Sequence, residues 1–149
     1  KGIFNFIKMF DEIKTKFEFS IVGNLKKYKL SNNNINLINY VSDTKKLINI
    51  YDRNNITILP SYTEGSPNVV NESLSRKRPV IIFEDIDYII KDKKGIFVSK
   101  RDPKSFSETA KNIIDNYGDV QKEMEKNVLP TKKNMIKQIS DIIESEVFN

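Results

Sequence analysis

The sequence predicts an α/β domain whose sheet is mostly parallel. Short apolar runs alternate with stretches of helical periodicity, and turn residues separate the two kinds of segment. The apolar runs are continuous instead of alternating with polar residues, which is typical of strands that helices cover on both faces. The 149 residues are enough for one compact domain with its own core. The sequence indicates neither an internal repeat nor an internal domain boundary.

The first part of the chain is predicted to form two helices and three strands. Apolar residues recur at helical spacing over residues 2–15 and predict an amphipathic helix. The β-rich run over residues 17–22 stops at Gly23, as a strand followed by a turn does. Ser42 is a residue type that often caps helices, so we expect it to precede a helix over residues 43–51. The other predicted elements are a polar loop and two strands, over residues 26–34, 35–38 and 56–59.

The rest of the chain is predicted to add two strands and at least three helices. The almost wholly apolar run 79–83 predicts the fourth strand, and residues 96–98 predict the fifth. A helix over residues 67–76 is expected between the third and fourth strands, and helical spacing of apolar residues predicts another over residues 103–116. The tail, residues 119–148, is expected to form one or two more helices with a break at its proline.

Composition removes several classes of chemistry. The sequence has no cysteine and no histidine, which excludes disulfides, thiol catalysis, thiolate metal sites and histidine as a general base. The net charge is +5. A lysine-rich surface explains that charge, and so does attraction to phosphate groups or to an anionic membrane surface. The sequence lacks both the run of about 20 apolar residues that spans a bilayer and the signatures of nucleic-acid-binding modules.

The segment after the third strand has the features of an anion site. Ser66 and Pro67 are the residue types expected at the N-cap and at the first position of a helix. The unpaired backbone N–H groups and the dipole of a helix start favour an anion. Gly65 would let a ligand approach the backbone closely. In doubly wound sheets ligands bind at this edge, where parallel strands end, so we expect phosphate to bind here.

Two carboxylates, Glu64 and Glu72, flank this helix start. A fully helical segment would separate them by about 12 Å, which is too far for a glycosidase pair acting on one bond. The spacing suits two hydrogen-bond acceptors that hold opposite ends of one extended, hydroxyl-rich ligand. Taken singly, each acid is more often a solvated helix charge, and Ser66 a routine cap. On this helix we expect a polar stripe formed by Asn68, Asn71, Glu72 and Ser75. Val70 and Leu74 are expected to face the core.

Taken together, these residues resemble a family pattern. The stretch from Glu64 to Glu72 looks like the Glu-x7-Glu motif of retaining glycosyltransferases with the GT-B fold, in particular those of family 4. The similarity covers residues 1 to about 116. The landmarks that accompany the motif, in the family's order, are Ile21-Val22-Gly23, Tyr40-Val41-Ser42-Asp43, the strand and Pro-Ser from Ile56 to Ser61, Arg78-Pro79-Val80-Ile81, and Gly95-Ile96-Phe97-Val98.

The resemblance implies a fold and a set of partners. The fold is a Rossmann-like three-layer sandwich, the C-terminal half of a GT-B enzyme, with residues 117–149 adding C-terminal helices. The expected partner in cis is an N-terminal acceptor domain that this sequence does not include. Peripheral contact with a membrane is compatible with such an enzyme, and nucleic acid is not an expected partner.

The resemblance also implies roles for individual residues. Glu64 would bind hydroxyls of the donor sugar and Lys1 would neutralise the diphosphate, and these two are the expected catalytic residues. Glu72 would accept hydrogen bonds from the ribose. The other expected substrate-binding residues lie at the helix start, near sugar and diphosphate, and in two earlier loops, near the nucleotide and its base: Gly65, Ser66, Pro67, Asn68 and Val69 in the first group, Gly23, Tyr40, Val41 and Ser42 in the second.

The sequence departs from the family pattern after the fourth strand. The family's Gly-Gly-x-x-Glu loop is replaced by Glu84-Asp85-Ile86-Asp87-Tyr88, which leaves the donor contacts at that edge undefined. Asp85-Ile86-Asp87 is formally the DxD metal signature of another glycosyltransferase fold. The remaining landmarks argue against that fold, and no metal is expected.

The leading hypothesis is the donor-binding domain of a transferase that moves a sugar from a UDP- or GDP-linked donor to an acceptor with retention. Its expected setting is the synthesis of a cell-envelope polysaccharide or another glycoconjugate, in the cytoplasm or at the inner face of the cell membrane. No cofactor is expected, and the domain alone is expected to be inactive. Two alternatives stay open: a non-catalytic module that binds a nucleotide sugar or a partner, and an epimerase of the same architecture.

Overall fold

The computed structural model describes residues 2–13, 17–24, 34–131, 133–134, 136–137 and 139–141. The described residues that follow Lys132 are helical. The elements before them, in chain order, are α1 (Ile3–Asp11), β1 (Phe19–Val22), β2 (Ile35–Ile38), α2 (Thr44–Arg53), β3 (Thr57–Leu59), α3 (Asn68–Ser75), β4 (Val80–Phe83), a 3₁₀ segment (Glu84–Ile89), β5 (Ile96–Ser99), α4 (Pro103–Asp115) and α5 (Tyr117–Met124).

The strands confirm the predicted parallel α/β class. β3, β4 and β5 form one parallel sheet in that order, with Ile58 opposite Ile81 and Ile81 opposite Phe97. β1 and β2 pair in parallel as a separate two-stranded sheet. The sequence predicted the strands and their direction, but not this division into two hydrogen-bonded sheets.

Strand β4 lies at the centre of the molecule, and all four of its side chains have 0% exposure. Ile81 and Phe83 pack with α1 and α4 on one face of the sheet. Val80 and Ile82 pack with α3 and α5 on the other face. Successive strand residues point to opposite faces, so one strand supplies the middle of both cores. The predicted three-layer arrangement of helix, sheet and helix follows from this alternation.

Aromatic rings hold α1 against the sheets. The ring of Phe6 lies 5.4 Å from the rings of both Phe19 and Phe106, and the ring of Phe10 lies 4.1 Å from that of Phe19. The ring planes are inclined by 61°, 75° and 60° in these pairs, as in edge-to-face aromatic contacts, which add to the stability that burial provides. The contacts connect α1 with the first residue of β1 and with α4.

Several predicted boundaries are wrong by a few residues. The predicted helix over 2–15 ends at Asp11, and residues 14–15 lie outside the described residues, as do residues 26–33 of the predicted polar loop. Ser42 does not cap α2, because the Asp43 carboxylate accepts the hydrogen bond from the Lys46 backbone N–H, at 2.7 Å. In the tail, α5 starts at Tyr117, and the break around Pro130 is confirmed.

No helix in the described part of the chain combines the length and the apolar character that a membrane crossing requires.

Candidate functional site

The residues predicted to bind ligand follow the carboxyl ends of the strands. Gly23 comes directly after β1, and residues 40–42 come shortly after β2. Glu64 and the start of α3 follow β3. Paired parallel strands end at the same edge of their sheet, and the carboxyl edge is where ligands bind in doubly wound folds. The structure therefore puts the predicted segments in the expected topological position.

Helix α1 also begins at this edge. Gly2, at its N-cap, has a φ of 45°, in the left-handed region that glycine adopts readily. A Cβ atom at this position would lie 1.5 Å from the carbonyl oxygen of Pro60, so only glycine fits without a shift of the backbone. The start of α1 thus lies against the carboxyl end of β3. Lys1, which adjoins Gly2 in the sequence, lies outside the described residues.

Arg101 fastens the loop that leaves β3. Its guanidinium donates hydrogen bonds to the carbonyl oxygens of Pro60 and Ser61, at 3.2 and 2.5 Å. It also donates to the Asp85 carboxylate, at 2.6 Å. A planar guanidinium presents its donors in a fixed fork, so one side chain can join the ends of all three strands of this sheet.

The same guanidinium lies over two aromatic rings. Its central carbon is 3.9 Å from the centroid of the Tyr62 ring and 4.4 Å from that of the buried Phe83 ring. Contacts of a cation with the faces of aromatic rings at these distances are attractive. The Tyr62 hydroxyl also accepts a hydrogen bond from the Asn5 amide, at 2.5 Å. Arg101 is therefore enclosed by the loop that it holds.

Glu64 is half-buried and held at three atoms. The Ser61 hydroxyl donates to its Oε1, at 2.5 Å. The Tyr88 hydroxyl donates to the Glu64 backbone carbonyl, at 2.6 Å, and accepts from the Glu64 backbone N–H, at 3.0 Å. The second carboxylate oxygen, Oε2, has no hydrogen bond to the described part of the chain. One acceptor atom of this residue is thus available for a ligand.

The start of α3 differs from the prediction by one position. The helix begins at Asn68, Pro67 occupies the N-cap, and none of the described side chains caps it. Ser66 is exposed and is not the cap that its sequence position indicated. Gly65 is exposed, and a Cβ atom there would meet nothing within 4 Å. The first N–H groups of α3 carry the positive end of the helix dipole, and among them the Val70 N–H donates to the Pro67 carbonyl.

Glu72 lies exposed on α3, and a tyrosine of α2 holds it. The Tyr51 hydroxyl donates to Glu72 Oε2, at 2.9 Å. Burial, followed by the hydrogen bond and the charge of Glu72, raises the pKa of Tyr51 well above its usual value. The phenol therefore stays protonated, and Glu72 Oε1 accepts no hydrogen bond from the described part of the chain.

The rest of α3 follows the predicted amphipathic pattern. Val70 and Leu74 are each 3% exposed and face the core, while Asn68 and Ser75 are exposed. Val69 is half-buried and packs against the same core. The polar stripe is therefore confirmed, although its Asn71 is half-buried.

The two earlier loops expose the groups expected to meet a nucleotide. The Gly23 backbone N–H donates to the Ile38 carbonyl, at 2.9 Å, which joins the ends of β1 and β2. Tyr40 is 76% exposed, Val41 is half-buried and Ser42 is exposed. Because Asp43 caps α2, the Ser42 hydroxyl is not used by the helix.

The comparison with protein families agrees with this geometry. A family model described as "Glycosyl transferases group 1" matches residues 1–116. The chain belongs to this family. The match and the parallel α/β fold together support a GT-B-type glycosyltransferase domain. No curated protein matches the chain.

In this group 1 glycosyltransferase domain, sequence reasoning missed the side chains that hold the two acids. Tyr88 and Arg101 lie far from Glu64 in the sequence, and Tyr51 lies 21 residues before Glu72. A topological signal for Arg101 was available in the sequence, because Arg101 follows the end of β5 just as Glu64 follows the end of β3. The Asp85-Ile86-Asp87 pattern falls in the 3₁₀ segment, where Ile86 has 0% exposure.

Proposed function

We propose that this domain binds the nucleotide-sugar donor of a retaining, family 4-like glycosyltransferase. The observation that carries the proposal is the arrangement around the start of α3. Glu64 and Glu72 lie on either side of a helix start that no described side chain caps, and each keeps one carboxylate oxygen without a partner in the described part of the chain. Two acceptors with an anion-binding helix start between them match the sugar, ribose and diphosphate of such a donor.

The diphosphate would bind where two helices begin. The starts of α1 and α3 both adjoin the loop after β3, and each helix start carries about half a positive charge. Lys1 would add a full positive charge directly before α1. When the bond between the sugar and the diphosphate breaks, negative charge grows on the leaving phosphate oxygens. Fixed positive charge at this place stabilises that state without a metal ion.

Different parts of the carboxyl edge would bind the two ends of the donor. Glu64 Oε2 would accept hydrogen bonds from the sugar hydroxyls, and Glu72 Oε1 from the ribose hydroxyls. The base would lie near Tyr40 and Ser42, with the nucleotide passing Gly23. Gly65 and the N–H groups of residues 66–69 would lie against the sugar and the diphosphate.

The acceptor would come from a second domain. In our proposal the full enzyme acts in the cytoplasm or at the inner face of the cell membrane and builds a cell-envelope polysaccharide or a related glycoconjugate. In this proposal the domain alone would bind the donor without transferring the sugar, because it would form only one side of the cleft.

The test is the response of nucleotide binding to Glu72→Gln. Calorimetric titration with UDP and GDP should give binding by the parent domain, and the substitution should weaken it about tenfold. The reason is that a hydrogen bond to a charged acceptor contributes about 1.5–3 kcal/mol. A 2′,3′-dideoxy nucleotide should bind parent and variant equally, since it lacks the hydroxyls that Glu72 would accept.

Glu108→Gln is the matched control, because Glu108 is an exposed glutamate of α4 whose ion pair, among the residues that the structure describes, is with Lys104 of the same helix. It should change neither titration. Equal losses for ribose and dideoxy nucleotides in Glu72→Gln would contradict the ribose assignment. A parent domain that binds no nucleotide at millimolar concentration would contradict the donor-binding proposal itself.

A further inference from the structure

The loop between β3 and Glu64 is held from two sides by residues that come much later in the chain. Arg101 binds its first two carbonyl groups, and Tyr88 binds both backbone groups of its last residue. From these contacts we propose that Tyr88 and Arg101 are positioning residues that orient Glu64 toward the donor sugar. This inference rests on the proposed role of Glu64 in donor binding.

Tyr88 fixes the backbone of Glu64. A single hydroxyl donates to the carbonyl and accepts from the N–H of the same residue. Two hydrogen bonds to one residue fix the orientation of both peptide planes, and with them the direction of the Cα–Cβ bond. The side chain of Glu64 can then move only by rotation about its own χ torsions.

Arg101 fixes the remaining freedom through Ser61. The guanidinium holds the Ser61 carbonyl, and the Ser61 hydroxyl donates to Glu64 Oε1. Ser61 is 4% exposed, so water does not compete for this hydroxyl. The Asp85 carboxylate pairs with Arg101, which keeps the guanidinium directed at the loop. The sequence of contacts from Arg101 through Ser61 ends at the carboxylate itself.

Fixing Glu64 in advance would matter for one part of the donor only. A carboxylate that is already ordered loses little conformational entropy when sugar hydroxyls bind to it. The diphosphate, by contrast, would bind at the starts of α1 and α3, and neither start depends on the Tyr88 hydroxyl. Removing the contacts that hold Glu64 should therefore weaken the contribution of the sugar to donor binding and leave the contribution of the diphosphate unchanged.

The experiment compares Tyr88→Phe with Tyr117→Phe. The Tyr117 hydroxyl also makes two hydrogen bonds, donating to the Asn55 carbonyl and accepting from the Arg78 side chain. Asn55 and Arg78 precede β3 and β4 respectively, so Tyr117→Phe removes an equivalent hydroxyl at the opposite edge of the same sheet. Calorimetry measures Kd for UDP-glucose, UDP-N-acetylglucosamine and GDP-mannose, each against its own nucleoside diphosphate.

For the donor that binds best, Tyr88→Phe should reduce the preference for nucleotide sugar over diphosphate about threefold to tenfold. The Kd of the diphosphate should stay the same. Arg101→Lys, which keeps the charge but loses the fork, should reduce the preference in the same direction. Tyr117→Phe should leave the preference unchanged even if it lowers the melting temperature.

Three outcomes would overturn the inference. An unchanged preference in both Tyr88→Phe and Arg101→Lys would exclude positioning of Glu64 while leaving donor binding intact. An equal loss for diphosphate and nucleotide sugar would indicate general damage to the site. A parent domain that binds neither ligand would overturn the inference together with the proposed function.

Discussion

Gly2 decides how closely a helix can approach the candidate site. Its left-handed φ turns the chain into α1, and its missing side chain lets the helix start touch the Pro60 carbonyl. Gly118, in the first turn of α5, has open space where a Cβ atom would stand. Substitution of each glycine by alanine therefore separates the effect of steric fit on stability from that of backbone entropy.

Gly2→Ala should destabilise the domain by about 1–3 kcal/mol, because it adds strain at a positive φ to a clash with the backbone. It should also weaken diphosphate binding, since α1 must move away from β3. Gly118→Ala should instead stabilise the domain by up to about 1 kcal/mol. Urea unfolding of both variants and one UDP titration check this. Equal stability in Gly2→Ala would mean that the helix start is free to shift.

Residue types predicted the helix caps only in part. The pair Ser42-Asp43 offers two good capping residues, and only the backbone geometry decides that Asp43 accepts the bond. At residues 66–68 the sequence favoured a cap at Ser66, whereas the helix starts one residue later. Both errors are one position long, and in both the hydroxyl is left exposed and unused by the helix.

At the scale of elements, α2 is attached to α3 mainly through polar contacts. None of its residues is fully buried. Arg76, just after α3, donates two hydrogen bonds to the Asp52 carboxylate, at 2.9 and 2.7 Å. Sequence patterns did not indicate this pair, because the two side chains are 24 positions apart, with β3, a loop and α3 between them.

The Asp52 pair should make stability depend on pH in the acid range. Hydrogen bonds from Arg76, and then the charges of Arg76 and Arg78, lower the pKa of Asp52. A lowered folded-state pKa stabilises the fold above the unfolded value of about 4, and this stabilisation is lost as pH falls further. Asp52→Asn should therefore lower the melting temperature at pH 7, with a difference that shrinks below about pH 4.

Differential scanning calorimetry of parent and Asp52→Asn between pH 3 and pH 7 checks this expectation. Asp92→Asn is the control, because Asp92 is exposed and has no cationic partner among the residues that the structure describes. A melting-temperature difference for Asp52→Asn that is the same at every pH would contradict a role for its charge.

At the scale of the whole molecule, β4 belongs to both cores. Ile81 contributes to the core under α1 and α4, and Ile82 to the core under α3 and α5. Because the same backbone supports both, the two cores should unfold together in one transition.

Ile81→Val and Ile82→Val should each destabilise the domain by about 0.5–1.5 kcal/mol, as removal of a buried methylene does. The slope of the urea transition should not change. Ile114→Val, at a position 45% exposed on α4, should stay within about 0.5 kcal/mol of the parent. A second transition, or a changed slope in only one variant, would show that the two cores unfold separately.

The sequence predicted the parallel α/β class because that class depends on local patterns. The apolar run around Ile81 is short and continuous, which is typical of a strand buried on both faces, and the structure has such a strand there. The motif from Glu64 to Glu72 could also be recognised in the sequence, since its residues are consecutive. The contacts that hold the two acids could not be recognised in the sequence, because Tyr51 lies 21 positions before Glu72 and Tyr88 lies 24 positions after Glu64. Arg101 acts on Glu64 only through Ser61.

The distribution of tyrosines has a practical consequence for optical work. The chain contains six tyrosines and no tryptophan. Tyr40, Tyr62 and Tyr88 follow the carboxyl ends of β2, β3 and β4, and two of them contact the Arg101 guanidinium or the backbone of Glu64. Because the chain has no tryptophan, its ultraviolet emission comes from tyrosine, and three of the tyrosines that the structure describes lie at this edge. The tyrosine fluorescence of an unlabelled sample should therefore report the binding of a ligand at that edge.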